Sequence, residues 1–166
     1  MRVVSLLLAI ALLAGCELAE NTGTGAADAA NLPSLTSREQ ALIFGADGAV
    51  QQGNYAAAER DYLSAVAASQ GRIDAHLALV RLYERQSQSE KARNILARAL
   101  ELQPQHPLAN YLLGKIYLED GEYAKAREAF IQGRATASDD VDLLNGEAIA
   151  EDMTGDHIAA QKLYAV

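Results

Sequence analysis

The stretch "YLLGKIYLEDGEYAKAREAF", Tyr111 to Phe130, decides the fold. Large apolar residues sit at Leu113, Tyr117 and Phe130, and small ones at Ala126 and, just beyond, Gly133. Moving back 34 residues gives the same kinds of residue: Leu79, Tyr83, Ala92, Leu96 and Ala99. The frame extends in both directions without insertion or deletion. Gly53, Ser87, Gly121 and Gly155 share one place, Ala58, Ala92, Ala126 and Ala160 a second, and Tyr62, Leu96, Phe130 and Tyr164 a third. A fixed period of this length marks a stack of supersecondary units. The units are 39–72, 73–106, 107–140 and 141–166, the last of them incomplete.

The spacing within a unit predicts two amphipathic helices of roughly twelve residues around a short turn. The alanine on the second helix lets the two axes approach, and the large residue one turn later fills the remaining space. Gly or Ser at the turn permits the reversal. Pro104 cannot continue a helix, whereas Pro107 suits a first helical turn. Thr36-Ser37-Arg38-Glu39 reads as a capping box opening the first helix. Tyr111 to Phe130 closely resembles the tetratricopeptide (TPR) pattern, and the resemblance covers about three quarters of the chain. It implies an all-α fold, a TPR solenoid of antiparallel helix pairs. Two units depart from the pattern. Gly45 replaces a leucine in the first unit, and Glu147 and Glu151 stand where the third unit has Leu113 and Tyr117. The end units are therefore expected to pack less fully. The last helix, from about His157 to the end of the sequence, is expected to fray or to dock on another chain.

Ahead of the repeats lies a different kind of sequence. Met1-Arg2 is a short positive region, and the run from Val3 to Leu13 is apolar except for Ser5. At ~1.5 Å per helical residue that run falls short of a ~30 Å hydrocarbon core, so it reads as an export signal rather than a membrane span. It ends in Leu13-Ala14-Gly15-Cys16, and Cys16 is the only cysteine in the chain. The tetrapeptide resembles the bacterial lipobox. That resemblance implies cleavage before Cys16 and acylation of its thiol. The signal peptide is then residues 1–15, and residues 16–37 are a lipidated cysteine and a flexible tether with no aromatic residue and no sustained apolar period, ahead of the TPR domain at 38–166. Two or three acyl chains hold a protein on a membrane surface, at ~0.8 kcal/mol per buried CH₂. Glu17 follows the anchor; in the lipoproteins this resembles, the absence of aspartate there points to the outer membrane, facing the periplasm.

No catalytic constellation is visible, and the chain reads as a non-enzyme. His76, His106 and His157 fall in three different units, on a helix, in an inter-repeat loop and at a turn. His157 takes the place of Tyr55 and Tyr123, which predicts a packing role. Asp139-Asp140 lies where a helix must begin, so capping is the expected role there. Gly23 to Gly25 follows no strand and opens no helix, unlike a phosphate loop. No metal, cofactor or small-molecule substrate is implied. Fourteen Lys and Arg against 22 Asp and Glu give a net charge of −8, or −9 once Arg2 is removed with the signal. Such a body repels nucleic-acid phosphates.

What remains is a binding surface for other proteins. The TPR frame places the first helix of each unit on the concave side. The expected partner groove contains Phe44, Asp47, Leu77, Arg81, Arg85, Tyr111, Lys115, Asn145 and Ile149. It is apolar and aromatic with three central cations, and suits a peptide segment or helix carrying acidic groups; the alternative is that Arg81, Arg85 and Lys115 are solvated cations paired with Glu84 and Glu119. The lipobox, the tether, and then Leu144-Asn145-Gly146 with Asp152, Gly155, Ala160 and Gln161 resemble the TadD lipoproteins of tight-adherence (Flp) pilus assembly. That resemblance implies a scaffold for pilus and secretion-channel components. A pilotin-like lipoprotein of type IV pili, or a periplasmic TPR adaptor for envelope and murein enzymes, is the alternative.

Overall fold

A computed structural model describes residues 37–69 and 71–165. The signal segment, the lipobox with Cys16, the tether before Ser37 and Thr36 of the capping box lie outside the described residues. The helices form four antiparallel pairs: α1 (Ser37–Gln51) with α2 (Tyr55–Ala68), α3 (Asp74–Arg85) with α4 (Ser89–Leu102), α5 (Pro107–Glu119) with α6 (Tyr123–Arg134), and α7 (Val141–Thr154) with α8 (His157–Tyr164). All eight belong to one compact unit, and the fold is the all-α TPR solenoid that the period predicts.

Each pair closes through the same backbone device. Gly53, Ser87, Gly121 and Gly155 all have positive φ, between 54° and 94°. The next N–H then reaches back five residues to a carbonyl of the first helix: Asn54 to Ala49, Gln88 to Tyr83, Glu122 to Tyr117 and Asp156 to Glu151, at 2.8–2.9 Å. This Schellman geometry satisfies carbonyls that a helix end leaves open. Ser87 is the one side chain held in the left-handed region among the described residues.

Four helix starts, those of α2, α5, α7 and α8, are fixed by side-chain caps. Asn54, His106, Asp140 and Asp156 each accept a hydrogen bond from a backbone N–H in the following first turn. Asp140 takes those of Asp142 and Leu143, at 3.0 and 3.1 Å, so the paired aspartates lie at a helix start as expected. The His106 ring accepts from the Ala109 N–H through Nδ1, at 3.3 Å, which requires a neutral ring with its proton on Nε2. Buried Asn110 donates to the carbonyls of Pro104 and His106 and closes that loop.

The core follows the frame. Ala58, Ala92, Ala126 and Ala160 are buried, and so are Tyr62, Leu96 and Phe130. Tyr164, their counterpart on α8, is 54% exposed. Phe130 is the bulkiest fully buried side chain and sits between two glycines. A Cβ on Gly114 of α5 would stand 2.6 Å from its ring, and one on Gly146 of α7 would intrude as deeply. Gly133 plays the same part for Leu143, whose Cδ2 would lie 2.8 Å from an added Cβ.

Neighbouring units also meet at one recurring pair of places, with different chemistry each time. The Tyr83 hydroxyl donates to Glu59 at 2.8 Å. Arg93 lies over the Tyr117 ring, 5.4 Å from its centroid, and also pairs with Asp120 and with Glu122. Arg127 pairs with Glu151 at 3.4 Å. Glu151 thus departs from the tyrosine pattern because its opposite number is a cation. Glu147 is matched in the same way by Arg134, at 2.5 Å. Both carboxylates are buried, which corrects the expectation that the first helix of the last unit packs less fully. That expectation holds instead at exposed Gly45 on α1 and on α8, where Ala160 is the buried residue.

Two predictions follow from this packing. Gly146→Ala should destabilise the protein by ~1–3 kcal/mol through overpacking against Phe130, although alanine is the better helix former by up to ~1 kcal/mol. Phe130→Leu, which restores the residue at Leu96, should recover part of the loss in the double variant. Chemical denaturation measures both; additive losses would refute the coupling. The second concerns pH. Burial pushes His76 below the ordinary histidine range against the opposing bond to the Arg72 carbonyl, and burial pushes His106 down against the pull of Asp74. Their contribution is complete above the unfolded value of ~6.5 and is lost as pH falls towards the lower folded values. Glu39, pushed up chiefly by burial, has the opposite sign, since it gains stability as pH falls. A His76→Gln/His106→Asn variant leaves Glu39 in place. Its denaturation midpoint should fall less between pH 7.5 and 5.5 than that of the parent.

Candidate protein-binding surface

The first helices α1, α3, α5 and α7 line one side of the stack, and the second helices back them. The sequence-predicted residues do not all reach that surface. Arg81, Arg85, Lys115, Asp47, Asn145 and Ile149 are exposed on it. Leu77 is not, being 8% exposed and part of the core beside Leu79 and Val80. The TPR frame puts it on the concave side, but its side chain is drawn into the contact between units. Phe44 is 82% exposed but stands at the register of Ala78, Leu112 and Gly146. In the last of these the helix abuts Phe130 of the preceding unit. Phe44 therefore faces the side where a preceding unit would pack, not the groove. Tyr111 is half-buried, with its ring centroid 6.3 Å from that of Phe130.

The three cations separate into two kinds. Lys115 donates to Glu84 of the preceding unit at 3.1 Å, and this bond holds its ammonium above the usual lysine range against the effect of burial. Arg81 and Arg85 have no carboxylate within salt-bridge distance among the described residues. They open onto one pocket with Asp47, Val50, Gln51, Tyr62, Ala78 and Leu82. Tyr62 reaches this pocket from α2 and donates its hydroxyl to Asp47. Burial raises the Tyr62 pKa first and its bond to Asp47 raises it further, while Arg85 and Arg81 oppose. The hydroxyl stays protonated and keeps Asp47 engaged. Two guanidinium groups thus face a single, already bonded carboxylate, and planar guanidinium forks suit a ligand carboxylate.

Further along, Leu118 is half-buried and Ile149 and Met153 are 44% and 51% exposed. Reading one helix at a time missed Tyr62, whereas the sequence offers Glu84 as a pairing partner for the cations, which it is for Lys115. Glu84 was legible as the acidic residue 31 positions before Lys115, in the adjoining unit.

The histidines do not converge. His76 is buried, with Nδ1 3.2 Å from the Arg72 carbonyl, and His106 is a cap. His157 is exposed, with Nδ1 2.6 Å from Asp152, which corrects the packing role expected for it. Its tyrosine counterparts are larger, and the short α8 offers it no cover. Among the described residues no group of three His, Cys, Asp or Glu is placed to hold a metal ion, and no helix is long and apolar enough to cross a membrane.

Residues 77–141 match a tetratricopeptide repeat family profile. No curated protein matches the sequence at a significant level. Among solved structures, the chain resembles MamA, with 20% identity, a TM-score of 0.69 and coverage of 77% of this chain and 70% of that one. It resembles MamA from Desulfovibrio magneticus RS-1, at 14% identity and TM-score 0.69, over 80% and 75% of the two chains. It is also similar to YrrB, described as a TPR protein with an unusual peptide-binding site, at 17% identity and TM-score 0.62, over 76% and 66%. These identities speak for the fold alone. Tetratricopeptide repeats are protein-interaction scaffolds, generally without enzymatic activity of their own. Residues 77–141 are thus a tetratricopeptide repeat segment, and the chain folds as a tetratricopeptide repeat solenoid.

Proposed function

We propose that this protein is a non-enzymatic lipoprotein adaptor, held by Cys16 on the periplasmic face of the outer membrane, that binds components of a tight-adherence (Flp) pilus secretion channel. The observation that carries the reading is the order of parts: a lipobox at Leu13 to Cys16, a tether of about twenty residues, then the repeats. A span of roughly 25 Å for such a tether holds the domain clear of the headgroups.

The TadD-like pattern in the last unit divides into two sets. Gly146 makes room for Phe130, Gly155 takes φ 94°, Ala160 is a buried close approach, and Asp152 meets His157. These have local duties in the fold. Asn145 and Gln161 are exposed, which leaves them available for recognition. A pilotin-like role or an envelope-enzyme adaptor would use the same anchor and repeats. Finding genes for a pilus ATPase and a secretin beside this one would favour the Flp reading over both.

Wild-type protein should incorporate labelled palmitate, and Cys16→Ser should abolish the label and leave the protein uncleaved or free in the periplasm. Surface pili should fall in the same strain. An unlabelled wild-type protein released by salt washing would overturn the anchor, and normal piliation in the Cys16→Ser strain would overturn the pilus role.

A further inference from the structure

Each step from one first helix to the next along the concave surface brings together the same two places, and the three steps differ in kind. Between α3 and α5 that place is closed, because Glu84 and Lys115 neutralise each other. Between α1 and α3 it holds Val50 and Arg81, with Arg85 one turn on and no salt bridge to either arginine among the described residues. Between α5 and α7 the frame puts Leu118 beside Ile149, with Met153 one turn on. The surface is therefore divided into a cationic end, a neutral middle and an apolar end.

We propose that this surface reads a protein segment in one direction, with a carboxylate side chain against Arg81 and Arg85 and apolar side chains against Leu118, Ile149 and Met153. The inference deepens the adaptor reading and rests on it. Charge complementarity selects the first half of the ligand. In a mature body of net charge −9, two guanidinium groups that share one pocket and have no salt bridge among the described residues attract an acidic segment rather than repel it. The apolar end excludes a free anion as sufficient occupant, since half of the surface would stay wet. Two steps at about 8–10 Å each separate the ends, so an extended segment at ~3.3 Å per residue carries its two features about five or six residues apart. The closed middle asks nothing of the residues between.

A phage-displayed library of random 12-residue peptides, panned on the full-length protein, tests this. Enriched peptides should carry Asp or Glu and, about five or six residues away, Leu, Ile, Met or Phe, always in the same chain order. Arg81→Glu/Arg85→Glu should turn the acidic preference basic, spare the apolar one, and weaken synthetic copies of the enriched peptides at least tenfold. Ile149→Asp/Met153→Asp should do the converse. Removing the neutral pair, Glu84→Gln/Lys115→Gln, should leave both preferences intact. All these side chains are exposed or partly exposed, and circular dichroism melts confirm that each variant is folded. No enrichment, enrichment in both orders, or an acidic preference that survives the double arginine reversal would overturn the proposal. So would loss of that preference on removal of the Glu84–Lys115 pair. Peptide preferences as expected with normal piliation in the Cys16→Ser strain would sink the pilus role alone; pili lost on Cys16→Ser without any peptide preference would sink this one alone.

Discussion

Among the described residues, every pair of helices is reversed by one backbone hydrogen bond, from the N–H just after a left-handed residue to a carbonyl five positions earlier. Its effect is positional. With the turn fixed at two or three residues, the small residue on the second helix arrives opposite the first helix at the same height each time, and Ala58, Ala92, Ala126 and Ala160 are all buried there. A longer or looser turn would let the second helix slide, and the large residue one turn later would lose its seat. Ser87 shows that the geometry dominates local preference, since a side chain is held at φ 54° rather than the turn being rebuilt.

Given that register, the remaining variation is settled between units rather than within them. Phe130 occupies more space than Leu96 does, and the excess is taken up by glycines on two helices, one in its own unit and one in the next. The contact that joins Glu59 to Tyr83 becomes a guanidinium over a ring at Tyr117 and an ion pair at Glu151. Burying Glu147 and Glu151 without Arg134 and Arg127 would leave carboxylates desolvated and uncompensated, which is among the costlier errors a core can contain.

The period made the helices, turns and helix-start aspartates legible, because four copies of one pattern show which residues hold equivalent places. The groove was only half legible, for the same reason inverted. A repeat pattern shows where a residue sits on its own helix but not what the preceding unit sets against it. Leu77 carries the same frame label as Asn145, yet one is buried and the other exposed. Pairing with Glu84 was legible for the three cations as a group, but not that it would take Lys115 and leave Arg81 and Arg85, and Phe44 looked like groove because its packing register shows only in the later units. The two glutamates of α7 looked like flaws because their arginines lie 13 and 24 residues away, in another unit.

The matched contacts between α6 and α7 also limit how such an array can be rearranged. Removing residues 73–106 in frame would set Tyr117 against Glu59, as Tyr83 is now, but it would also set Leu112 against buried Tyr62, where the smaller Ala78 now stands. Removing residues 107–140 instead would seat α7 on α4. Leu96 would underfill the space beside Gly146, and Leu100 would face the buried Glu147. Arg93 alone would find its counterpart, in Glu151. The repeats share one geometry but are not interchangeable parts. The fourth unit is addressed to the third through its buried glutamates, and the third is matched to the second through the sizes of Leu112 and Leu96, so losing a whole repeat at either place requires a junction to be rebuilt.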